Sequence, residues 1–262
     1  EIYLRKAIEL KPDYVISHYN LGCILRDLGN LKEAEIHLRK AIELKPDFLD
    51  AYYNLGVVLQ EQGDLEAAIN AFNKALELEA NHPDALNNLG VALQEQGDLD
   101  AAINTFNAAI NIKPDHFGAR INLSMAVLLL GDFENGWRNY DYRLQGQHDQ
   151  NILYANPPCD QWNHKNSRVK TQLLLVSEQG LGDTLLFMRY LKVLKEHGIN
   201  VSLCAQPSLH ALIKTSGIDP APLTPDQANQ VDQGQWMPLL SVPGYLSVSA
   251  GNPIVTEPYI KT

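Results

Sequence analysis

A period constrains this chain more than any other feature. "HYNLGCILRDLGNLKEAEIHLRKAIELKPD" (18–47) returns as "YYNLGVVLQEQGDLEAAINAFNKALELEAN" (52–81) and again as "LNNLGVALQEQGDLDAAINTFNAAINIKPD" (86–115). A worn fourth copy, "RINLSMAVLLLGDFENGWRNYDYRL" (120–144), keeps the same 34-residue shift. Gly29, Gly63, Gly97 and Gly131 recur at one position, placed to end a first helix where a left-handed backbone favours glycine. Asn30, Asp64, Asp98 and Asp132 follow at once and are positioned to cap a second helix. Gly22, Gly56, Gly90 and Ser124, facing Ala34, Ala68, Ala102 and Gly136, are small where the two helices must cross closely. Pro12, Pro46 and Pro114 end second helices, while the third copy carries Pro83 instead. One such hairpin cannot bury its apolar face alone, so neighbours must stack.

The spacing and the glycine, alanine and proline positions match the tetratricopeptide repeat, a helix–turn–helix unit. They predict a helical solenoid over residues 1–150, with repeats at about 15–48, 49–82 and 83–116 and a degenerate one at 117–150. The degenerate copy puts Arg143 where the others have Ala41, Ala75 and Ala109, and an arginine cannot occupy a tight helix crossing. Trp137, Tyr140 and Tyr142 crowd the same helix, which is therefore expected to close the array with its aromatic side docked on whatever follows.

Charge is uneven. Residues 1–150 hold 13 Lys and Arg against 23 Asp and Glu, whereas residues 151–262 hold 8 against 8. An acidic array disfavours nucleic acid, whose phosphates call for Lys and Arg, and favours a neutral or basic protein partner. No apolar run approaches the ~20 residues of a membrane span. Cys23, Cys159 and Cys204 are too far apart for metal-ligand spacing and are read as free thiols of a cytoplasmic protein. The eight histidines show no metal-ligand pattern either, so no metal or cofactor is expected in this chain. "EIYLRKAIELKPD" begins as a helix already under way, which suggests a piece of a longer protein.

Asn20, Asn54, Asn88 and Asn122 would form a ladder along one face of the first helices. Packed helices lie about 8–10 Å apart and an extended peptide advances about 3.3–3.6 Å per residue. One asparagine could thus meet a peptide backbone about every third residue, with an amide that both donates and accepts. Alternatively, each asparagine ties one repeat to the next. The ladder within "NLG…L…G…EA" resembles the repeats of O-linked N-acetylglucosamine transferases, which implies a concave groove for a protein or peptide partner.

Residues 151–170 are polar and aperiodic and read as a linker or an irregular wrap, with Tyr154 and Trp162 as anchors; beyond them, residues 171–262 change grammar. "TQLLLVSEQ" reads as a buried strand of the parallel kind. "GDTLLFMRYLKVLKEHG" follows as one helix, "NVSLCAQ" as a strand, "PSLHALIKTSG" as a helix and "QWMPLLSV" as a later strand. Alternation of this sort predicts a doubly wound parallel sheet, making the whole chain α plus α/β. "EQGLGD" (178–183) would lie outside the carboxyl end of the first strand, where ligands of such sheets bind. It is a poor dinucleotide fingerprint, since Leu185 stands where a third glycine belongs, and Asp183 would repel phosphate.

"LLLVSEQGLGDTLLFMRYL", with "QPSLHALI", "MPLLSVP" and "PYI", resembles the domain that follows tetratricopeptide repeats in many bacterial proteins. That domain is similar to the N-terminal, Rossmann-like half of heptosyltransferase-like glycosyltransferases of the GT-B fold. The resemblance implies that Asp183, preceded by Gly182, is the base that deprotonates an acceptor hydroxyl for inverting attack on a nucleotide sugar. A cap at the helix start is the other role open to Asp183. Glu178, Gln179, Gly180 and Gly182 would then form the acceptor loop, with Glu178 and Gln179 able to hydrogen-bond a sugar. A GT-B enzyme needs a second lobe for its donor, and the sequence stops at Thr262, where that lobe should begin. The chain is accordingly expected to be inactive alone, the missing half coming in cis or in trans. A non-catalytic interaction or assembly module is the alternative.

Overall fold

The computed structural model describes residues 1–144, 153–162, 172–178, 180–254 and 260. The chain divides into two compact units, Glu1–Leu130 and Gly131–Thr262. The division falls inside the fourth sequence copy, about twenty residues before the boundary at 150 that the period suggests.

The first unit is all helical: α1 (Ile2–Leu10), α2 (Val15–Asp27), α3 (Leu31–Leu44), α4 (Leu49–Glu61), α5 (Leu65–Leu78), α6 (Pro83–Gln96), α7 (Leu99–Ile112) and α8 (Phe117–Leu129). Consecutive helices pair, α2 with α3, α4 with α5 and α6 with α7, and each pair stacks on the next. Gly29, Gly63 and Gly97 sit at φ +77°, +84° and +93°, the left-handed backbone that the turn requires. The small residues inside the hairpins have a more specific job than making room for alanine. A Cβ at Gly56 would stand 2.5 Å from Cε1 of Phe72, and one at Gly90 would meet Phe106 at the same distance. Phe72 and Phe106 are wholly buried, and each ring packs where a side chain at the facing glycine would stand, filling the hairpin. The caps divide: Asp64 and Asp98 accept from the backbone N–H of Ala67 and Ala101, but Asn30 makes no cap bond. His82 and His116 also cap helices, their Nδ1 accepting from Ala85 and Ala119. Pro83 opens α6 at its first turn, where a missing N–H costs nothing.

The second unit begins with α9 (Phe133–Tyr140), capped by Asp132, and a 3₁₀ turn at Asp141–Leu144. It continues with β1 (Asp160–Gln161), β2 (Leu173–Val176), α10 (Leu181–Phe187), α11 (Tyr190–Glu196), β3 (Val201–Cys204), α12 (His210–Thr215), α13 (Pro225–Ala228), β4 (Gln235–Pro238) and α14 (Val242–Tyr245). The strands form one sheet in the order β1-β4-β2-β3, and every pair is parallel. Both faces are covered. Leu173, Leu175, Leu203 and Met237 pack on one side with Met188, Leu191, Leu194 and Ile213, while Leu174, Val176, Cys204 and Trp236 pack on the other with Ala155 and Ala228. This explains why β2 reads as an unbroken apolar run rather than an alternation.

The single helix predicted over 182–198 is two. Met188 still bonds back to Thr184, but Leu191 bonds to Met188, an i to i+3 tightening that separates α10 from α11. The later strand is short, because Pro238 ends it and the chain turns at once into a 3₁₀ turn and α14. Within the polar stretch, Trp162 is buried against Tyr245 and the Tyr154 N–H donates to the Ser177 carbonyl. Its described residues 153–162 thus wrap against the sheet and add edge strand β1. Among the described residues, no helix is long and apolar enough to cross a membrane and no three His, Cys, Asp or Glu side chains could share a metal ion.

Candidate functional site

In the first unit the amides of Asn54, Asn88 and Asn122 are engaged with the repeat before. The Asn54 Nδ2 donates to the Tyr19 hydroxyl at 3.3 Å and to the Asp50 carbonyl at 2.8 Å, and its Oδ1 accepts from Arg26 at 2.7 Å. The Asn88 Nδ2 donates to the Tyr53 hydroxyl at 3.1 Å, and its Oδ1 accepts from Asn87 at 3.2 Å. The Asn122 Nδ2 donates to Asn87 Oδ1 at 3.0 Å. The Asn54–Tyr19, Asn88–Tyr53 and Asn122–Asn87 bonds each span 35 residues, one repeat plus one position, so the ladder ties neighbouring hairpins together. Asn54 is buried and both of its donors are used; Asn88 and Asn122 are half-buried and each retains a free N–H by the valence of the amide. Asn20 is half-buried on α2. Burial pushes the Tyr19 phenol up to about 12 and raises Tyr53 as well, so both remain hydroxyl partners for these amides at neutral pH. The tyrosines escaped the sequence reading although the doublets Tyr19-Asn20, Tyr53-Asn54 and Asn87-Asn88 keep the period.

In the second unit the site is the boundary between β2 and β4. The chain leaves β2 toward β3 on one side, whereas β4 lies on the other, so the boundary is the switch point of the sheet. Ser177–Asp183 follow the carboxyl end of β2, and Leu239–Ser241 follow that of β4. Across this gap lies the Arg143 guanidinium, 7% exposed. Its Nη2 donates to Glu178 Oε1 at 2.7 Å and its Nε to Oε2 at 3.0 Å, a fork-to-fork pair. It also donates to Ser241 Oγ at 3.2 Å, to Asp141 Oδ1 at 3.0 Å and to the Tyr140 carbonyl at 3.1 Å, and it stacks 4.3 Å over the Tyr140 ring. Burial alone would lower the arginine, but the Glu178 bond and the two carboxylates outweigh it and raise it.

This geometry corrects the role of Glu178. Its side chain is 5% exposed and both oxygens are held by Arg143, while its backbone carbonyl accepts from Gln206. A carboxylate so enclosed anchors the loop instead of reading a sugar hydroxyl. Gln179 lies outside the described residues. Gly180 precedes α10, and a Cβ there would stand 2.5 Å from Asp183 Oδ2, so the carboxylate of Asp183 folds over this glycine and a larger residue would have to displace it. Gly182 meets nothing within 4 Å and imposes no such demand. Asp183 itself is exposed in the first turn of α10 and makes no cap bond. Thr184, wholly buried behind it, donates to the Gly180 carbonyl and to Gln206 Oε1, fixing the turn from inside. Cys204 is buried beneath the loop with its thiol pushed up to about 12, which removes it as a nucleophile. In the sequence, Arg143 stands out among alanines, and Glu178, Thr184, Gln206 and Ser241 fall within the segments quoted above, but no local pattern shows that these residues meet.

Three repeat-family models match the array: "Tetratricopeptide repeat" over residues 47–115, "TPR repeat" over 22–63 and "Tetratricopeptide repeat" over 3–36. No curated protein matches the chain. Among solved structures, one of MamA superposes with a TM-score of 0.52 at 27% identity, covering 54% of this chain and 83% of that one. A second MamA structure gives 0.51 at 26%, covering 56% and 80%. MamA 41-end from Desulfovibrio magneticus RS-1 gives 0.53 at 19% identity, over 56% of this chain and 84% of that one, a likeness of fold alone. With the paired helices, the left-handed glycines and the 34-residue shift, these matches make residues 3–115 an array of tetratricopeptide repeats.

Proposed function

We propose that the chain is a protein-binding scaffold whose array takes an extended segment of a partner along the face carrying Asn88 and Asn122. Stacked hairpins generate a continuous concave surface of this kind. The observation that carries the reading is the graded satisfaction of the ladder: Asn54 has spent its donors on the fold, whereas Asn88 and Asn122 keep donor capacity on a half-buried face. The acidity of residues 1–150 favours a neutral or basic segment. The test is anisotropy of a labelled peptide library against the whole chain. Replacing Asn88 or Asn122 by Ala is expected to weaken capture several-fold at unchanged melting temperature, and replacing Asn54 to lower the melting temperature first. Capture insensitive to all of these, or no capture, refutes the reading.

A second reading concerns residues 171–262: the acceptor lobe of a nucleotide-sugar-dependent, inverting glycosyltransferase of GT-B type, with Asp183 as base. It is favoured by one observation, an exposed carboxylate at the mouth of a parallel-sheet switch point, backed by a glycine that leaves it room. The repeats would then resemble those of O-linked N-acetylglucosamine transferases in presenting a substrate, and a second lobe would hold the donor. Glu178 takes no part in acceptor recognition here; it holds the loop that carries Asp183. Calorimetric titration of nucleotide sugars, with and without a donor lobe supplied in trans, tests this. Asp183→Asn should leave the fold intact and abolish transfer, and turnover unaffected by it sinks the assignment.

A further inference from the structure

A second cavity opens beside the buried arginine, and neither reading above uses it. It has a volume of about 500 Å3 and is lined on one side by a stripe of α9 and the turn after it, Phe133, Glu134, Trp137, Arg138 and Asp141. Gly244 and the loop 247–249 form the other side. That size lies within the range of small-ligand sites, about 300–1,000 Å3. Its walls are held in place before any ligand arrives. The indole N–H of Trp137 donates to the Val248 carbonyl at 3.1 Å. The Asn252 side chain donates to the Leu246 and Ser247 carbonyls, and its backbone N–H donates to Ser249 Oγ. Ser247 is fixed at φ +52°, a left-handed conformation that costs a non-glycine residue energy and recurs at binding sites.

The charges of the lining do not cancel. Glu134 and Arg138 pair with each other at 2.8 Å. Arg143 supplies one positive charge to two carboxylates, Glu178 and Asp141. Glu178 is enclosed, so the surplus negative charge of the triad falls on Asp141, which is 37% exposed and lines the cavity. Its Oδ1 accepts from Arg143 and from the Ser241 hydroxyl at 2.7 Å; among the described residues Oδ2 has no donor. An aromatic wall beside a carboxylate that must share its one cationic partner with Glu178 attracts a further cation through both the ring quadrupole and the charge. We propose that this cavity binds an organic cation of guanidinium or ammonium type, seated against Trp137 and bonded to Asp141.

The test uses the whole chain and tryptophan fluorescence. Trp162 and Trp236 are buried, so a ligand-dependent change reports Trp137, and Trp137→Phe removes it. Agmatine serves as a free cation, an N-acetylated, amidated arginine as a peptide-borne one, and glucose as a neutral control. Saturable change with agmatine or the blocked arginine, weakened about tenfold or more by Asp141→Asn, is the expected result. The tighter of the two identifies the source as a free metabolite or a peptide side chain. Asp141 also holds Arg143, so a second measurement guards against misfolding of that variant. In the unaltered chain, raising salt from about 50 to about 500 mM should weaken the cation several-fold. The proposal is overturned if glucose saturates the signal and the cations do not, if neither does, or if cation binding ignores salt.

Discussion

The two units tie their polar groups together by opposite rules. In the array the ties that recur are neutral amide-to-hydroxyl and amide-to-amide bonds, Asn54 to Tyr19, Asn88 to Tyr53 and Asn122 to Asn87, each at the same sequence separation, with Arg26 adding a charged donor at Asn54. In the sheet unit the ties are unique: Arg143 to Glu178, Ser241 to Asp141, Trp137 to Val248. A repeated neutral tie can be lost once and leave its neighbours intact, because each repeat touches only the next. A single buried ion pair has no such substitute. If one partner goes, the other remains as an uncompensated charge in the interior.

The sharpest way to break the comparison is therefore at Arg143. Arg143→Ala is expected to cost the sheet unit about 3–5 kcal/mol. The loss can be followed separately from the array, since all three tryptophans lie beyond residue 130 while most of the long helices lie before it. In urea, the fluorescence transition should move to lower denaturant while the main far-ultraviolet dichroism transition stays. The double variant Arg143→Met with Glu178→Leu, which removes both charges, should recover most of the loss. A fluorescence midpoint unmoved by Arg143→Ala would mean that the pair contributes nothing.

An effect of intermediate size belongs to the array. Gly56→Ala inserts a methyl group where the Phe72 ring already lies, and overpacking of that kind costs about 1–3 kcal/mol. Adding Phe72→Leu, which shortens the opposing side chain, should return part of it. The same exchange at Gly63 acts differently. Nothing lies within 4 Å of a Cβ there, so the cost comes from the backbone at φ +84° and no partner change will relieve it. Calorimetric melting of Gly56→Ala and Gly63→Ala, each with and without Phe72→Leu, separates packing from backbone strain. Rescue at Gly63 by Phe72→Leu, or none at Gly56, would contradict the assignment.

What the sequence disclosed follows the same divide. The hairpins were legible because their constraints recur: a left-handed glycine, a small residue against a ring and a cap all return 34 residues later. Parallel strands were legible because both faces of β2 are covered, leaving an apolar run that only a buried strand explains. The break at Met188 was not legible, since "LLFMRYLKVL" keeps helical periodicity through a local change of hydrogen-bond register. The centre around Arg143 was hidden for a different reason. Its members come from the 3₁₀ turn after α9, the loop after β2 and the turn after β4, and only folding brings residues so far apart in sequence together. Glu178 looked like a ligand group because a carboxylate beside a glycine turn usually faces solvent, and no local pattern announces an arginine that arrives from another element.

The smallest expected effect tests whether the copies of the repeat are equivalent, as the period alone would suggest. Asp98 sits at the start of α7 with its carboxylate accepting the Ala101 N–H at 3.0 Å, whereas Asn30, at the same position before α3, makes no such bond. Asp98→Ala should cost about 1 kcal/mol, the usual worth of an N-cap, and Asn30→Ala only a few tenths. Asn30→Asp should gain stability, because a carboxylate there both reaches the free N–H groups and suits the positive end of the helix dipole. Thermal melts of the three variants decide the matter. Equal losses from Asp98→Ala and Asn30→Ala would show that the cap depends on the repeat position alone, and the inequality of the copies would then lie only in the fourth, where Arg143 replaces alanine.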